Sequence, residues 1–214
     1  MAASEEFWNK RAERYDAKTV KGPNYAKRIE RVKAWLHDTA VVLDVGCASA
    51  EITLDIAPHV GQIHGIDVSA GMIELARKKA SERGIHNARF SRTDPRISPR
   101  NIPDDPDLAE GSFDAVTAYS VIHLLEDVPG TLVRLHDLLK PGGKLITETP
   151  CIGDWNIGWK MLVKLAMLFG MAPQVVMLKV AELESMIADA GFEVMESKVY
   201  NPKSRLQCIM AKKQ

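Results

Sequence analysis

The chain has 214 residues, 46% hydrophobic and 26% charged, which suits one well-filled core, and no long low-complexity stretch argues for a second domain. Basic and acidic residues balance at 28 each, so no overall field draws the protein onto nucleic acid or an anionic membrane, and any such attraction has to come from a local patch. Three widely spaced cysteines, Cys47, Cys151 and Cys208, fit reduced thiols in the cytoplasm better than a disulfide framework or a zinc site, and no apolar run reaches the ~18 to 20 residues of a membrane span.

The charged start, MAASEEFWNKRAERYD, has no apolar h-region and predicts no secretory leader. Apolar spacing at Ile29, Val32, Trp35 and Leu36 predicts a helix ending near His37 and Asp38, and a β-branched run over 41–45 follows directly. Residues 51–57 are helical by spacing and stopped by Pro58, after which 62–66 read as a second strand. Ser69 is placed to cap a helix through Ala80 with Gly84 as its stop, and 88–93 give a third strand. A Pro- and Asp-rich loop covers 95–111. A strand over 113–119, a helix with Val128, Leu132, Leu135 and Leu139 on one face, a break at Pro141-Gly142-Gly143 and a strand over 144–149 come next. Leu183, Met186, Ile187 and Ala190 line a helix stopped by Gly191. Two apolar runs, 192–200 and 205–211, joined by a short turn over 201–204, then predict an antiparallel hairpin. Alternating strands and helices imply a mostly parallel α/β sheet covered on both faces, with its ligand at the carboxyl ends of the strands near the switch in strand order.

Three acids stand at or just after successive strand ends. The first strand runs VVLDV into GCASA, a turn of small residues that lets a ligand lie against backbone; alone this is a weak signal, and Asp44 can equally be a local hydrogen-bond acceptor. Asp67 ends the second strand about twenty residues further on, the spacing at which an acid accepts from both ribose hydroxyls, with an Asx-type cap beside Ser69 as the plainer alternative. Asp94 follows the third strand, where a carboxylate can accept from an adenine amino group. A nicotinamide dehydrogenase fits less well, because its turn needs GxGxxG and this one has a single glycine, Gly46.

In order and spacing, VVLDVGCASAEI, GIDVSAGMIELARKKA, RTD, SFDAVTAYSVIHLL and LLKPGGKLI resemble the successive motifs of the class I S-adenosylmethionine-dependent methyltransferases, small-molecule type. FWNKRAERYD resembles a leader of many such members in which a tyrosine lies near the cofactor. The resemblance implies a seven-stranded, mostly parallel Rossmann-like sheet with a C-terminal antiparallel hairpin. It also implies methyl transfer from S-adenosylmethionine to a small-molecule acceptor. It would put Asp67 on the ribose, Asp94 on the adenine and Val68 and Met72 against the nucleoside. Gly46, Cys47 and Ala48 would lie along the methionine portion, with Asp44 orienting the loop or the ammonium group, Ser120 facing the methionine end and Tyr15 closing over the cofactor. The family's first motif usually has further glycines where this chain has Ala48 and Ala50; alanine fits if φ is negative there, and a non-catalytic relative that binds cofactor or a partner is the alternative.

Transfer from a sulfonium rests on alignment and exclusion of water, and a base is needed only for a weakly acidic acceptor. His123, behind the fourth strand, is the candidate, against the plainer reading of a histidine packed at the strand-to-helix junction. Cys47 has no basic neighbour in sequence and reads as packing, not as a nucleophile. No metal site is expected, and the assembly is expected to be a monomer or homodimer. Specificity should come from the N-terminal segment, the 95–111 loop and an insert at 151–180, whose stretch WNIGWKMLVKLAMLF (155–169) reads as an apolar lid helix on the domain or on a second subunit. Its sharper readings are a greasy wall for a lipophilic acceptor or an interfacial helix with its lysines at the headgroups.

Overall fold

The computed structural model describes residues 2–12, 25–93, 108–199 and 206–214. Its seven strands are β1 (Val41–Val45), β2 (Gln62–Asp67), β3 (Ala88–Arg92), β4 (Phe113–Tyr119), β5 (Leu139–Pro150), β6 (Phe192–Val199) and β7 (Leu206–Lys213). Among the described residues the helices are α1 (Ala2–Asn9), α2 (Tyr25–Trp35), α3 (Glu51–Ile56), α4 (Ala70–Glu82), α5 (Val128–Leu138), α6 (Ile157–Leu168) and α7 (Val180–Asp189).

The strands form one sheet in the order β3-β2-β1-β4-β5-β7-β6. The first five are parallel, while β7 runs antiparallel to both β5 and β6, as the hairpin reading requires. Alternation along each strand divides the core. Leu43, Val45, Val116, Leu145 and Ile209 pack on one face with Leu132 and Leu135 of α5 and Leu183 and Ile187 of α7. Val42, Ala115, Ile146 and Met210 pack on the other with Ile29 and Val32 of α2 and Ile56 of α3. Strands buried on both faces are mostly apolar, which is why 41–45 and 113–119 read so clearly despite Asp44, Asp114 and Thr117.

One boundary differs from expectation. Pro141-Gly142-Gly143 does not separate a helix from a strand beginning at Lys144: β5 starts at Leu139, opposite Phe113, and the Pro-Gly-Gly run is absorbed where the register shifts between Phe113 and Ala115. Gly142, at φ +75°, supplies the left-handed residue that this irregularity needs.

The stretch expected to form the insert helix is α6. Asn156 caps α6 by accepting from the Trp159 backbone N–H at 3.1 Å, yet no residue of α6 is buried. A helix this apolar needs the domain, a second subunit, a lipid or a ligand to cover it, and this domain leaves its outer face open.

Sequence order reverses across the sheet at β1 and β4, so the chain leaves these neighbours toward opposite edges and opens a crevice beyond their carboxyl ends. The turn over 46–50 follows β1, and the segment over 120–127 follows β4.

Candidate active site

The turn after β1 is held in a fixed and partly strained shape. Gly46 and Cys47 both donate their backbone N–H to the Ile66 carbonyl, at 2.8 and 3.0 Å, which ties the turn to β2. Gly46 sits at φ +68°, and a Cβ there would lie 2.5 Å from Val121 Cγ2, so only glycine lets the turn pass the segment behind β4. Ala48 and Ala50 are left-handed as well, at φ 48° and 65°. That overturns the expectation of a negative φ at Ala48: the turn keeps the backbone path of a glycine-rich loop with alanines in it. Left-handed alanine costs roughly 1–2 kcal/mol, because Cβ crowds the following carbonyl.

Asp67, the last residue of β2, spans the turn and the next helix. Its Oδ2 accepts from the Ala48 N–H at 3.1 Å and its Oδ1 from the Ser69 N–H at 2.9 Å. The Asx-type cap is therefore present, and it leaves each oxygen with further lone-pair capacity. Ser69 Oγ accepts from the Met72 N–H at 3.2 Å and caps α4 as its position foretells. Burial raises the Asp67 carboxyl above the usual range, against the backbone donors that lower it.

Asp44 is buried and receives two hydroxyl donors, Thr53 of α3 at 2.5 Å and Thr117 of β4 at 2.7 Å. Burial pushes its carboxyl up to about 6; the threonines oppose the shift and the like charge of Asp67 adds to it. Two carboxylates thus act on each other at the ends of β1 and β2, in surroundings that favour a cation.

The remaining expected residues fall as follows. Cys47 is buried, its thiol raised well above the usual value chiefly by burial, as suits packing and not nucleophilic attack. Val68 is half-buried, whereas Met72 is only 1% exposed, so its side chain belongs to the interior and is not presented to a ligand. Ser120 is exposed just past β4 at φ 54°, its N–H donating to the Glu148 carbonyl at 2.7 Å. Tyr15 and Asp94 lie outside the described residues, as do most of the 95–111 loop and the 201–204 turn.

His123 is 9% exposed, its imidazole pushed down to about 4 by burial, and its Nδ1 has no hydrogen-bond partner among the described residues. Its carbonyl accepts from the Val176 N–H at 2.7 Å, which fastens the end of the insert to the segment behind β4. Next to it is a cavity of about 310 Å³, lined by Phe7 of α1, Leu124, Leu125 and Glu126 behind β4, and Met167 and residues 170 and 172–176 of the insert. The N-terminal segment reaches the start of α4 too: Asn9 Oδ1 accepts from Ser69 Oγ at 2.6 Å and from the Gly71 N–H at 3.3 Å.

Sequence reasoning did not anticipate the polar cluster at the carboxyl ends of β4 and β5. Glu148, buried on β5, pairs with Arg28 at 2.6 Å and Arg31 at 3.1 Å, both from α2, and the Arg28 guanidinium stands 5.5 Å from the Tyr119 ring centre. The available signal was an acid inside an otherwise uncharged run, ITETP.

Strand order and the position of the turn define the class I methyltransferase architecture. A family model described as a methyltransferase domain matches residues 43–145. The chain is 39% identical over 113 residues to aklanonic acid methyltransferase DauC of Streptomyces sp. (strain C5), covering 51% of this chain and 47% of that protein. It is 32% identical over 123 residues to a ubiquinone biosynthesis O-methyltransferase of Xanthomonas axonopodis pv. citri (strain 306), covering 57% and 48%. In each case the match spans about half of the relative's length. Among solved structures, magnesium protoporphyrin IX methyltransferase from Synechocystis PCC 6803, with bound SAH, shares the fold at a TM-score of 0.74 and 18% identity, over 98% of this chain and 97% of that one. Residues 43–145 are thus similar to a methyltransferase domain, and the fold of the whole chain is shared with a solved methyltransferase.

Proposed function

We propose that the protein transfers a methyl group from S-adenosylmethionine to a small, lipophilic acceptor held in the cavity behind β4. The observation that carries the reading is the pair of carboxylates, Asp44 and Asp67, at the ends of adjacent strands beside a turn that exposes backbone. A sulfonium and an ammonium group are the charges such a site would favour, and the bound cofactor supplies an electrophilic methyl group. Asp67 has lone pairs left to accept the ribose hydroxyls, and Val68 flanks the nucleoside, with Met72 supporting the wall from inside. Gly46, Cys47 and Ala48 offer their backbone to the methionine portion, Asp44 fixes the turn through Thr53 and Thr117, and Ser120 closes the methionine end. Asp94 would receive the adenine amino group and Tyr15 would cover the nucleoside.

On the acceptor side, the apolar lining by Phe7, Leu124, Leu125 and Met167 favours a hydrophobic molecule. The names of the two relatives, an aklanonic acid and a ubiquinone-pathway methyltransferase, agree with that class. We infer that the chain works by alignment and exclusion of water, because a histidine of pKa about 4 is a weak base at neutral pH. Three buried free cysteines suit a reducing compartment, and we propose the cytoplasm.

Titration calorimetry with S-adenosylhomocysteine should give saturable binding, and a screen of acceptor classes should release it. Saturable NAD binding without a response to S-adenosylhomocysteine would reject the reading. The alanines at left-handed positions favour one alternative, a binding protein without catalysis; it predicts S-adenosylhomocysteine binding and no turnover with any acceptor class.

A further inference from the structure

The most conspicuous surface that the site does not use is the outer face of α6. At 3.6 residues per turn, Ile157, Met161, Leu162, Leu165 and Leu168 fall on one side of the helix, and all are exposed, Ile157 by 71% and Leu168 by 77%. Phe169, just past the helix, continues the stripe at 69% exposed. A contiguous apolar surface of this kind on a folded domain marks an interaction site.

Charge narrows the partner. From 155 to 180 the charged residues are Lys160, Lys164 and Lys179, with no acid among them, in a chain whose charges cancel overall. Lys160 and Lys164 lie one turn apart along one margin of the stripe; the half-buried Lys160 donates to the Gly153 carbonyl at 3.3 Å, whereas Lys164 is exposed and can keep its ammonium group in water while its stem lies on apolar ground. A second copy packed on the stripe would bring apolar surface but no acid from this segment to meet the lysines. An anionic headgroup layer supplies both parts. No helix among the described residues is long and apolar enough to cross a membrane, so α6 would lie in the interface and not span it.

We propose that α6 docks the protein on an anionic lipid surface, with Ile157, Leu165, Leu168 and Phe169 in the acyl boundary, Lys164 at the headgroups and Lys160 adding positive charge beside it. Met167 and the segment following α6 line the 310 Å³ cavity, so the docked surface adjoins its wall. A lipophilic acceptor dissolved in the bilayer can then enter without crossing water, a corollary that rests on the methyl-transfer reading, whereas docking itself does not.

The test is flotation of the full chain with phosphatidylcholine vesicles containing phosphatidylglycerol, against pure phosphatidylcholine, with S-adenosylhomocysteine calorimetry on every variant. The chain should float with the mixed vesicles and weakly with the neutral ones. Lys164→Glu alone should lower partitioning by at least about five-fold and Lys160→Glu/Lys164→Glu further, while Leu168→Asp should abolish it. All three variants should keep their S-adenosylhomocysteine affinity. Failure to float, or flotation indifferent to Leu168→Asp and to the lysine reversals, overturns the proposal. So does a concentration-dependent dimer that Leu168→Asp dissolves in a chain that binds no vesicle. Flotation without S-adenosylhomocysteine binding would leave docking standing and remove the methyl-transfer reading; binding without flotation would do the reverse.

Discussion

Replacing Ala48 by glycine should stabilise the fold, although most substitutions in a binding loop do the opposite. Ala48 stands at φ 48°, where relief of left-handed strain is worth roughly 1–2 kcal/mol. Glycine returns about 0.4–1 kcal/mol of this through the larger entropy of the unfolded chain. The net gain is about 0.5–1 kcal/mol, which for a chain of this length raises Tm by roughly 1–4 °C. Ala50, also left-handed, is a contrasting control: it is fully buried against α3 and α4, so Ala50→Gly also loses a methyl worth about 0.8 kcal/mol and should come out near zero or destabilising. Ala48→Val adds a β-branched side chain at positive φ and should destabilise by more than about 1 kcal/mol. Because the Ala48 N–H to Asp67 hydrogen bond survives in glycine, S-adenosylhomocysteine affinity should change less than about three-fold, within the scatter of a single neutral hydrogen bond. Scanning calorimetry reads the first effect and titration calorimetry the second. An Ala48→Gly variant with a lower Tm would refute the strain argument. A rise in binding from undetectable to measurable would instead mean that the alanines had disabled the loop, in favour of a non-catalytic relative.

Cofactor affinity should be lost as pH is lowered through about 6. Asp44, raised to about 6, disfavours the folded state when ionised above that pH and is relieved as pH falls, but a cationic ligand prefers the ionised form. S-adenosylhomocysteine has no sulfonium, so sinefungin or S-adenosylmethionine is the ligand to titrate; affinity should be full above about pH 6 and drop by up to about ten-fold per unit below it, and Asp44→Asn should be weak and flat. Asp67→Ala should weaken binding by roughly 1.5–3 kcal/mol and Asp67→Asn by less, since an amide oxygen still accepts; unchanged affinity in a folded Asp67→Ala variant would reduce the carboxylate to a cap. His123→Gln should cost less than ten-fold in kcat, and a loss of the ~10²–10⁴ typical of a general base would restore His123 to the chemistry. Gly46→Ala should destabilise by more than about 2 kcal/mol, with partial rescue by Val121→Ala, because its Cβ meets Val121 at 2.5 Å; a Tm close to that of the unaltered chain would show that the turn can shift.

The parts of this protein that were legible in its sequence are those fixed by local chemistry or by burial on two faces. β1 and β4 appear over the residues that their apolar runs mark, and Ser69 caps α4 because a hydroxyl at that position has a free N–H to accept from. β5 began early because Pro-Gly-Gly, a turn signal in isolation, is tolerated as an irregularity once Leu139 can pair with Phe113. At Ala48 the local steric preference for negative φ was overruled by distant partners: Ile66 holds the start of the turn, Val121 leaves room only for glycine at 46, and Asp67 receives the Ala48 N–H.

The two halves of the site differ in the same respect. The proposed cofactor half is built from acids at or just past strand ends, and since each parallel crossover returns the next strand to the same edge, their spacing along the chain already encodes their convergence. The proposed acceptor half joins Phe7, Leu124 and Met167, and behind it Arg28 pairs with Glu148 across 120 residues, with no period or motif connecting them. A change in acceptor therefore needs no change in the motifs that reveal the cofactor. α6 makes the point most sharply: its apolar spacing shows that a helix forms, but whether that face meets a core, another chain or a lipid depends on a partner that the chain does not contain, and only the acid-free, lysine-edged margin indicates which.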